Sequence, residues 1–385
     1  MPGALDGIVV ADFSRVLAGP YATMLLGDLG ATVVKVERPG VGDDTRAWGP
    51  PFAADGQSTY FQSVNRNKLS IDLDLSDPDD ASVARRLAAR ADVMVENYKP
   101  GALRRFELAY EQVREANPAV VYCSISGFGS GEGKDLPGYD LLVQAMGGLM
   151  SITGTSEPTK AGVAVVDVLT GLHASVAILA ALHHRDTTGE GQRIEVTLLG
   201  ALLSSLVNQA SGFVGAGSVP AFMGNAHPSI APYEVFATGD RPMIIAVGND
   251  GQFVKLASVL GAEGLAQDPH YATNAARVAN RGELKATLED LLSAHGADEW
   301  QETITAAGVP CGPINDIAQG FALAERLGLE PVVDVADDRR SAPQPQVANP
   351  AQYSRTPATY RSAPPSVGED RAAVLTLLDL DGPTR

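Results

Sequence analysis

Short apolar runs and longer amphipathic stretches alternate along the first 130 residues. Ile8–Phe13 (IVVADF), Thr32–Glu37 (TVVKVE), Ser70–Leu75, Asp92–Asn97 (DVMVEN) and Ala119–Ser126 (AVVYCSIS) are brief and rich in β-branched residues. That pattern predicts buried strands. Between them, helices are predicted from Gly19-Pro20 to Leu29, over Asp77–Arg90 and over Gly101–Asn117. Repeated strand–helix–strand units imply a mostly parallel sheet covered on both faces.

Beyond Tyr139 the period becomes helical. Helices are expected over Tyr139–Ile152 and Val168–Arg185, then a strand at Arg193–Leu198 and a third helix to about Val214. Two strand signals (YEVFATG and MIIAVG) and helices over Gln252–Leu260 and Arg281–Ala294 mark a second unit. Pro331–Pro365 carries seven prolines and no helical period, and reads as an extended segment returning across the first domain before a final helix, Gly368–Leu380. The fold class is therefore α/β: a large domain with a mostly parallel sheet over residues 1–200, a linker at 201–224, a smaller α+β domain at 225–322 and a returning segment at 323–385.

Charge narrows the partners. Twenty-nine Lys and Arg against 46 Asp and Glu give net −17 over 385 residues. Such acidity argues against nucleic acid and against an anionic membrane surface. It leaves room for one anionic small molecule held by local cations. Two cysteines, Cys123 and Cys311, make neither a disulfide framework nor a thiolate metal site, and both read as buried thiols. The apolar stretch Val168–Leu182 is short for a membrane span, and the N-terminus lacks the pattern of a signal peptide. A soluble cytoplasmic protein is expected.

In such sheets ligands bind at the carboxyl ends of the strands. The segments there are Ser14–Pro20, Arg38-Pro39-Gly40, Asn97–Gly101 and Gly127-Phe128-Gly129. No GxGxxG follows the first strand, and no P-loop, HExxH or GxSxG occurs, so dinucleotide, nucleotide-triphosphate, zinc-protease and serine-triad readings lack support. Asp167 is a single acid inside AVVDVL, just where a helix begins. It reads either as a helix N-cap or as a carboxylate nucleophile able to attack an activated acyl group. Gly248-Asn249-Asp250-Gly251-Gln252 is either a plain turn before a helix or a mobile loop whose backbone approaches a substrate. His227 stands in GNAHP and is a candidate contact for a carboxylate. Arg38, Arg46, Arg66, Lys68, Lys99, Arg104 and Arg105 each read as a solvated surface charge or, converging on one sheet edge, as a phosphate pocket.

Taken together, LAGPYATMLLGDLGATVVKVERPG, VNRNKLSIDLDL, DVMVENYKPG, GYDLLVQAMGGLMSITG, VAVVDVLTGLHAS, GNAHPSIAPY and AVGNDGQF resemble the family III (CaiB/BaiF) CoA-transferases over nearly the whole chain. GDDTRAWGPPF and STYFQSVNRNK look most like the succinyl-CoA:dicarboxylate branch. The resemblance implies an enzyme that moves CoA from an acyl-CoA donor, expected to be succinyl-CoA, to a carboxylic acid, expected to be dicarboxylic. Coenzyme A enters as substrate, with no metal or redox cofactor, the implied large domain is Rossmann-like, and the expected assembly is an interlocked homodimer. The resemblance makes Asp167 the nucleophile. It assigns Val16, Arg38, Leu73, Asn97, Tyr98 and Arg105, or its neighbour Arg104, to the nucleotide. It sets Gly248 and Gly251 in a catalytic loop with Asn249 and Gln252, and leaves Leu17, Arg46 and His227 for the acid. The racemases of the same family carry a His where Tyr139 stands, and tyrosine is a poor α-proton base, so transfer is favoured over 2-methylacyl-CoA racemisation.

Overall fold

The computed structural model describes residues 3–379. Close contacts divide the chain into two units. The first comprises the chain up to Leu149, Ala161–Ser218 and the segment from Glu330 onward; the second comprises Met150–Lys160 and Val219–Leu329. The boundaries thus fall at 218/219 and 329/330, not at the ends of the expected linker. The piece Met150–Lys160 goes with the second unit although it precedes Asp167 in the chain.

The first unit is built on six parallel strands: β1 (Val9–Asp12), β2 (Thr32–Glu37), β3 (Lys68–Asp72), β4 (Val93–Glu96), β5 (Val121–Ser126) and β6 (Gln192–Thr197). Their order is β3-β2-β1-β4-β5-β6. The helices between them are α1 (Ala18–Asp28), α2 (Thr59–Gln62), α3 (Pro78–Arg90), α4 (Tyr110–Ala116), α5 (Asp140–Met146) and α6 (Val165–Thr188). After β6 follow α7 (Leu198–Ser205) and α8 (Val207–Ala216).

Period-2 alternation splits the sheet between two cores. Val10, Val33, Val95, Cys123 and Ile125 face a core completed by Ala22 and Leu26 of α1 and Ala174, Ile178 and Leu182 of α6. Ala11, Val34, Val36, Met94 and Tyr122 face the other, with Ala84 and Leu87 of α3. At about 25 cal/mol per Å² of buried apolar area, these two faces supply the main driving force for the domain.

Several predicted helices break, each for a local reason. Gly101–Asn117 divides into a 3-10 turn at Ala102–Phe106 and α4, because Glu107 adopts a left-handed backbone. Tyr139–Ile152 divides at Gly147 into α5 and a 3-10 turn. The helix after β6 bends by 83° between α7 and α8. By contrast α6 runs 24 residues, longer than the apolar run alone indicated, and by length and composition it is long enough to cross a membrane. Its inner face lies in the first core.

In the second unit, β7 (Tyr233–Phe236), β8 (Met243–Ala246) and β9 (Cys311–Pro313) form an antiparallel sheet. Packed with it are α9 (Asp250–Val259), α10 (Gly264–Gln267), α11 (Asn274–Ala279), α12 (Arg281–Leu292), α13 (Ala297–Ala306) and α14 (Ile317–Arg326). Phe236, Ile245, Phe253, Leu288 and Trp300 form its core. Cys311 is half-buried here, unlike the buried Cys123.

The returning segment forms a hairpin, β10 (Val332–Val335) with β11 (Gln344–Val347), and ends in α15 (Arg371–Asp379). The predicted end of that helix, Leu380, lies outside the described residues. Arg361 donates to the carbonyls of Gly27, Gly30 and Ala31 at 3.0, 2.8 and 2.7 Å. A cation there satisfies orphan carbonyls and opposes the dipole at the end of α1. Arg66 and Lys68, expected at the surface or on a phosphate, are buried. Arg66 forks onto Asp28 at 2.8 and 2.6 Å, and Lys68 pairs with Asp12 at 3.0 Å. Burial is the physical reason neither is free for a ligand.

Candidate active site

The strand order reverses between β1 and β4, the crevice where open α/β sheets bind ligands. The β1–α1 connection is clamped there from both sides. Asn97 Nδ2 donates to the Arg15 carbonyl at 2.7 Å, and its Oδ1 accepts from the Arg15 amide at 2.9 Å. Opposite, the Asp43 carboxylate accepts from the Val16 amide at 3.2 and 3.3 Å. Val16 sits at φ 70°, a costly region for a β-branched residue. The clamps hold it there. Asp43 is in turn fixed by the Lys35 ammonium at 2.9 Å, both side chains being fully buried. Burial pushes the Asp43 carboxyl up, but Lys35 and the Thr45 amide outweigh it and hold it down at about 2.

A cavity of about 430 Å³ opens over this connection, lined by Val16, Leu17, Asn97, Tyr98, Tyr139 and Asp167 among others. Asp167 is the third residue of α6. It does not cap that helix. Asp140 does: its Oδ1 accepts from the amides of Val166 at 2.8 Å and Asp167 at 3.2 Å. Gln144 Nε2 donates to Asp140 Oδ2 at 2.6 Å, and Gln144 Oε1 accepts from the Ala161 amide at 2.8 Å. Asp140 itself is aimed by a backbone crossing. A Cβ added to Gly127 would lie 2.5 Å from the Gly138 Cα, so only two glycines let the chain after β5 touch the chain before α5.

With capping done by another acid, no hydrogen-bond donor among the described residues reaches the Asp167 carboxylate. Leu17, Val16, Tyr60 and Val168 belong to one apolar cluster, of which Val16 and Leu17 line the same cavity as Asp167. Burial, and secondly the Asp140 charge, push the Asp167 carboxyl up to about 7. The same two carboxylates, after burial, push the Tyr60 phenol up to about 12. Tyr60 meets Trp48 edge-on at 5.3 Å. The arrangement presents a desolvated carboxyl group to the cavity.

The sequence model of CoA-transferase family III matches residues 5–371. The succinate–glutarate CoA-transferase of Agrobacterium fabrum is 44% identical, covering 97% of this chain and 96% of that protein.

This chain belongs to CoA-transferase family III.

The human succinyl-CoA:glutarate CoA-transferase is 40% identical over 377 residues, covering 96% of this chain and 85% of its own length. A crystal structure of a CaiB/BaiF family protein from Brucella suis superposes with a TM-score of 0.88 at 42% identity, covering 98% of this chain and all of that one. The mixed α/β architecture with its six-stranded parallel sheet is therefore that of the family, and the transferase takes acyl-CoA as substrate.

The expected nucleotide residues fare differently in this transferase. Val16, Asn97 and Tyr98 line the cavity. Arg38 is half-exposed at its edge, bonded to Asp44 at 2.5 Å, and Asp44 also pairs with Arg15 at 3.3 Å. The Arg15 guanidinium lies over the Tyr98 ring at 5.2 Å. Arg104 lines a neighbouring cavity of about 250 Å³ together with Tyr98, Lys99 and Arg193, whereas Arg105 stacks on Phe106 at 4.5 Å and is not among the residues of either cavity. Leu73 packs its side chain into the second core and leaves only its backbone near the sheet edge.

Arg46 does not stand free for a carboxylate. It forks onto Glu37 at 2.8 and 2.6 Å and lies over the Phe61 ring at 3.6 Å. Its charge is spent inside the fold.

His227, Gly248, Asn249, Gly251 and Gln252 belong to the second unit. The His227 ring packs against Tyr233, and its Nδ1 accepts from the Ser229 amide at 3.1 Å. Asn249 caps α9, accepting from the Gln252 amide at 3.0 Å. Sequence reasoning missed Asp140, Asp43, Tyr60 and Arg15 as members of the site. Only Asp140 left a signal, as the acid that follows Tyr139 at the head of a helix.

Proposed function

We propose that this transferase moves CoA from succinyl-CoA to a second dicarboxylic acid, with Asp167 as the covalent carrier. The observation that carries the reading is the Asp167 carboxylate: uncapped, walled by apolar side chains and open to a cavity at the switch point of the sheet. The dicarboxylate assignment is supported by the substrates named in the two glutarate relatives.

An Asp167 oxygen attacks the thioester carbonyl of the donor, the C–S bond breaks, and CoA leaves as thiolate. The thiolate attacks the Asp167 carbonyl carbon of the mixed anhydride and expels the donor acid, leaving an aspartyl-CoA thioester. The acceptor carboxylate attacks that thioester and frees the thiolate again. The thiolate then takes the acceptor acyl group, and Asp167 returns as carboxylate. Each addition passes through an oxyanion, and donors placed for that charge lower the barrier. Val16, Asn97, Tyr98, Arg38 and Arg104 are proposed to hold the nucleotide part of CoA, with Leu17 and Tyr139 beside the acyl group.

We further propose a homodimer. Leu172, Val176 and Leu179 form one exposed stripe of α6, and Val207, Phe213 and Val214 are exposed on α8, an apolar surface that suits a second copy.

The deciding experiment mixes the protein with succinyl-CoA and quenches before acceptor is added. A mass increase on the peptide carrying Asp167, trapped by hydroxylamine and absent in Asp167→Ala, is expected. Substantial turnover by Asp167→Ala would falsify the assignment.

A further inference from the structure

Residues 65–68 grip α1 at both ends, in each case with a buried ion pair. At the far end Arg66 and Asn67 bind Asp28, the last residue of α1. At the near end the Lys68 ammonium commits all three of its N–H bonds. It donates to Asp12 Oδ2 at 3.0 Å, to the Pro20 carbonyl at 2.9 Å and to Asn65 Oδ1 at 3.0 Å. The side chains of Lys68 and Asp12 are both fully buried.

The near end borders the site. Asp12 closes β1, and from there the chain runs into α1 along the cavity that Asp167 lines, with Val16 and Leu17 in its wall. Asp12 Oδ1 accepts from the Ser14 amide at 3.0 Å, and Oδ2 accepts from the Thr23 hydroxyl at 2.7 Å. One carboxylate thus ties the start of the connection to α1, and Lys68 ties that carboxylate to Pro20. A Cβ added to Gly19 would collide with the Ser14 side chain, so the two ends of the connection lie in contact. α1 opens at Leu17 with no capping side chain, so its first turn is positioned from outside. Asn65 extends the ties to α2, where its Nδ2 donates to the Phe61 carbonyl at 2.8 Å.

Stability alone does not call for this arrangement. Buried charges are costly, and well-packed apolar side chains of similar volume often serve a fold as well. Burial pushes the Asp12 carboxyl up, though Lys68 and Lys35 outweigh it. On the Lys68 ammonium burial prevails and brings it down to about 8. What the pair adds is direction, because each of its bonds is aimed at a particular atom.

We infer that Lys68 is a positioning residue for CoA transfer: through Asp12 and Pro20 it sets the connection that brings Val16 and Leu17 to the Asp167 cavity. The inference rests on the reading that transfer takes place in that cavity.

Lys68→Met with Asp12→Asn removes both charges and keeps an acceptor for the Ser14 amide. At pH 7, kcat for CoA transfer should fall about tenfold, as a small misplacement beside the reacting atoms produces. KM for succinyl-CoA should stay within about threefold, because Arg38, Asn97 and Tyr98 follow other strands. Arg66→Met with Asp28→Asn is the control. It removes an equally deep pair at the end of α1 that lines no part of the cavity, and should keep kcat within about twofold whatever melting temperature it loses.

The inference is overturned if Lys68→Met with Asp12→Asn keeps kcat within about twofold of the wild type. It is also overturned if the control lowers kcat as much, since the pair would then serve the fold alone. Should the doubly changed protein not fold, Thr23→Val decides. It deletes the hydroxyl that ties α1 to Asp12 and should lower kcat several-fold, with Thr23→Ser restoring it. An unchanged kcat, or a loss that Thr23→Ser does not restore, overturns the inference. Asp167→Ala, assayed alongside, keeps the two levels apart. If it retains turnover, the reading of the cavity falls and the inference with it. If it abolishes turnover while the Lys68 variant transfers normally, the positioning role falls alone.

Discussion

Asp140 Oδ1 accepts the backbone amide of Asp167 at 3.2 Å, so one acid caps the helix that carries another. The contact does two opposed things. It satisfies an orphan amide that the Asp167 side chain would otherwise serve, and it sets a second negative charge beside a desolvated carboxyl.

Asp140→Asn separates these effects, because the amide oxygen still accepts from Val166 and Asp167. The pH dependence of kcat/KM for succinyl-CoA should rise through an inflection near pH 7 in the wild type, where Asp167 becomes a carboxylate. In Asp140→Asn the inflection should move to lower pH and yet stay above the ordinary carboxylate range, since burial is the larger cause. An inflection left where it was would show that the Asp140 charge does not reach Asp167.

The raised Asp167 carboxyl also has a cost in stability. The unfolded chain releases this proton near pH 4, whereas the folded chain holds it until about 7. Between those values the unfolded state binds fewer protons, so the contribution to stability is full below pH 4 and is lost as pH rises to 7, at about 1.4 kcal/mol per unit at most. Asp167→Asn carries no such penalty. Thermal melts should therefore show the variant gaining on the wild type from pH 4 to 7, with the difference constant above. A gap independent of pH would refute the account.

The Gly127–Gly138 crossing predicts a position-specific loss. Gly138→Ala places a Cβ 2.6 Å from the Gly127 Cα and must push the two backbones apart. Denaturant unfolding should show a loss of about 1–3 kcal/mol, the range of an overpacked contact, together with a lower kcat because Asp140 is displaced. Unchanged kinetics would mean that the crossing does not aim Asp140.

Asp43→Ala leaves the Lys35 ammonium buried without its acid and releases the Val16 amide. Breaking a buried pair on one side costs about 3–5 kcal/mol. Urea melts should register this, and Lys35→Met with Asp43→Leu should recover part of it. Recovery of stability without recovery of KM for acyl-CoA is expected, because the strained Val16 turn would still lack its clamp.

Arg104 and Arg105 separate cleanly. Arg104→Ala should raise KM for CoA esters several-fold with kcat little changed, since a phosphate contact contributes about 1.5–3 kcal/mol at most. Arg105→Ala, stacked on Phe106, should leave KM near the wild-type value. Equal effects would place both side chains on the nucleotide.

Strand positions, their alternation and the two-faced burial of the sheet follow from local pattern: Val33 and Val34 point to opposite cores because side chains alternate along a strand. The place of Asp167 in the first turn of an apolar helix was legible, because a lone acid there interrupts the apolar run. The sequence by itself determined these, along with the family motifs that span the chain. Tertiary structure alone decided which charges remain available. Arg46, Arg66 and Lys68 read like Arg38 on the page, yet their partners Glu37, Asp28 and Asp12 consume them, while Asp140 takes the capping role that Asp167 was equally fitted to play. Periodicity is carried by neighbours along the chain. The fate of a charge is set by what the fold brings within a few ångströms and by how much water it leaves there.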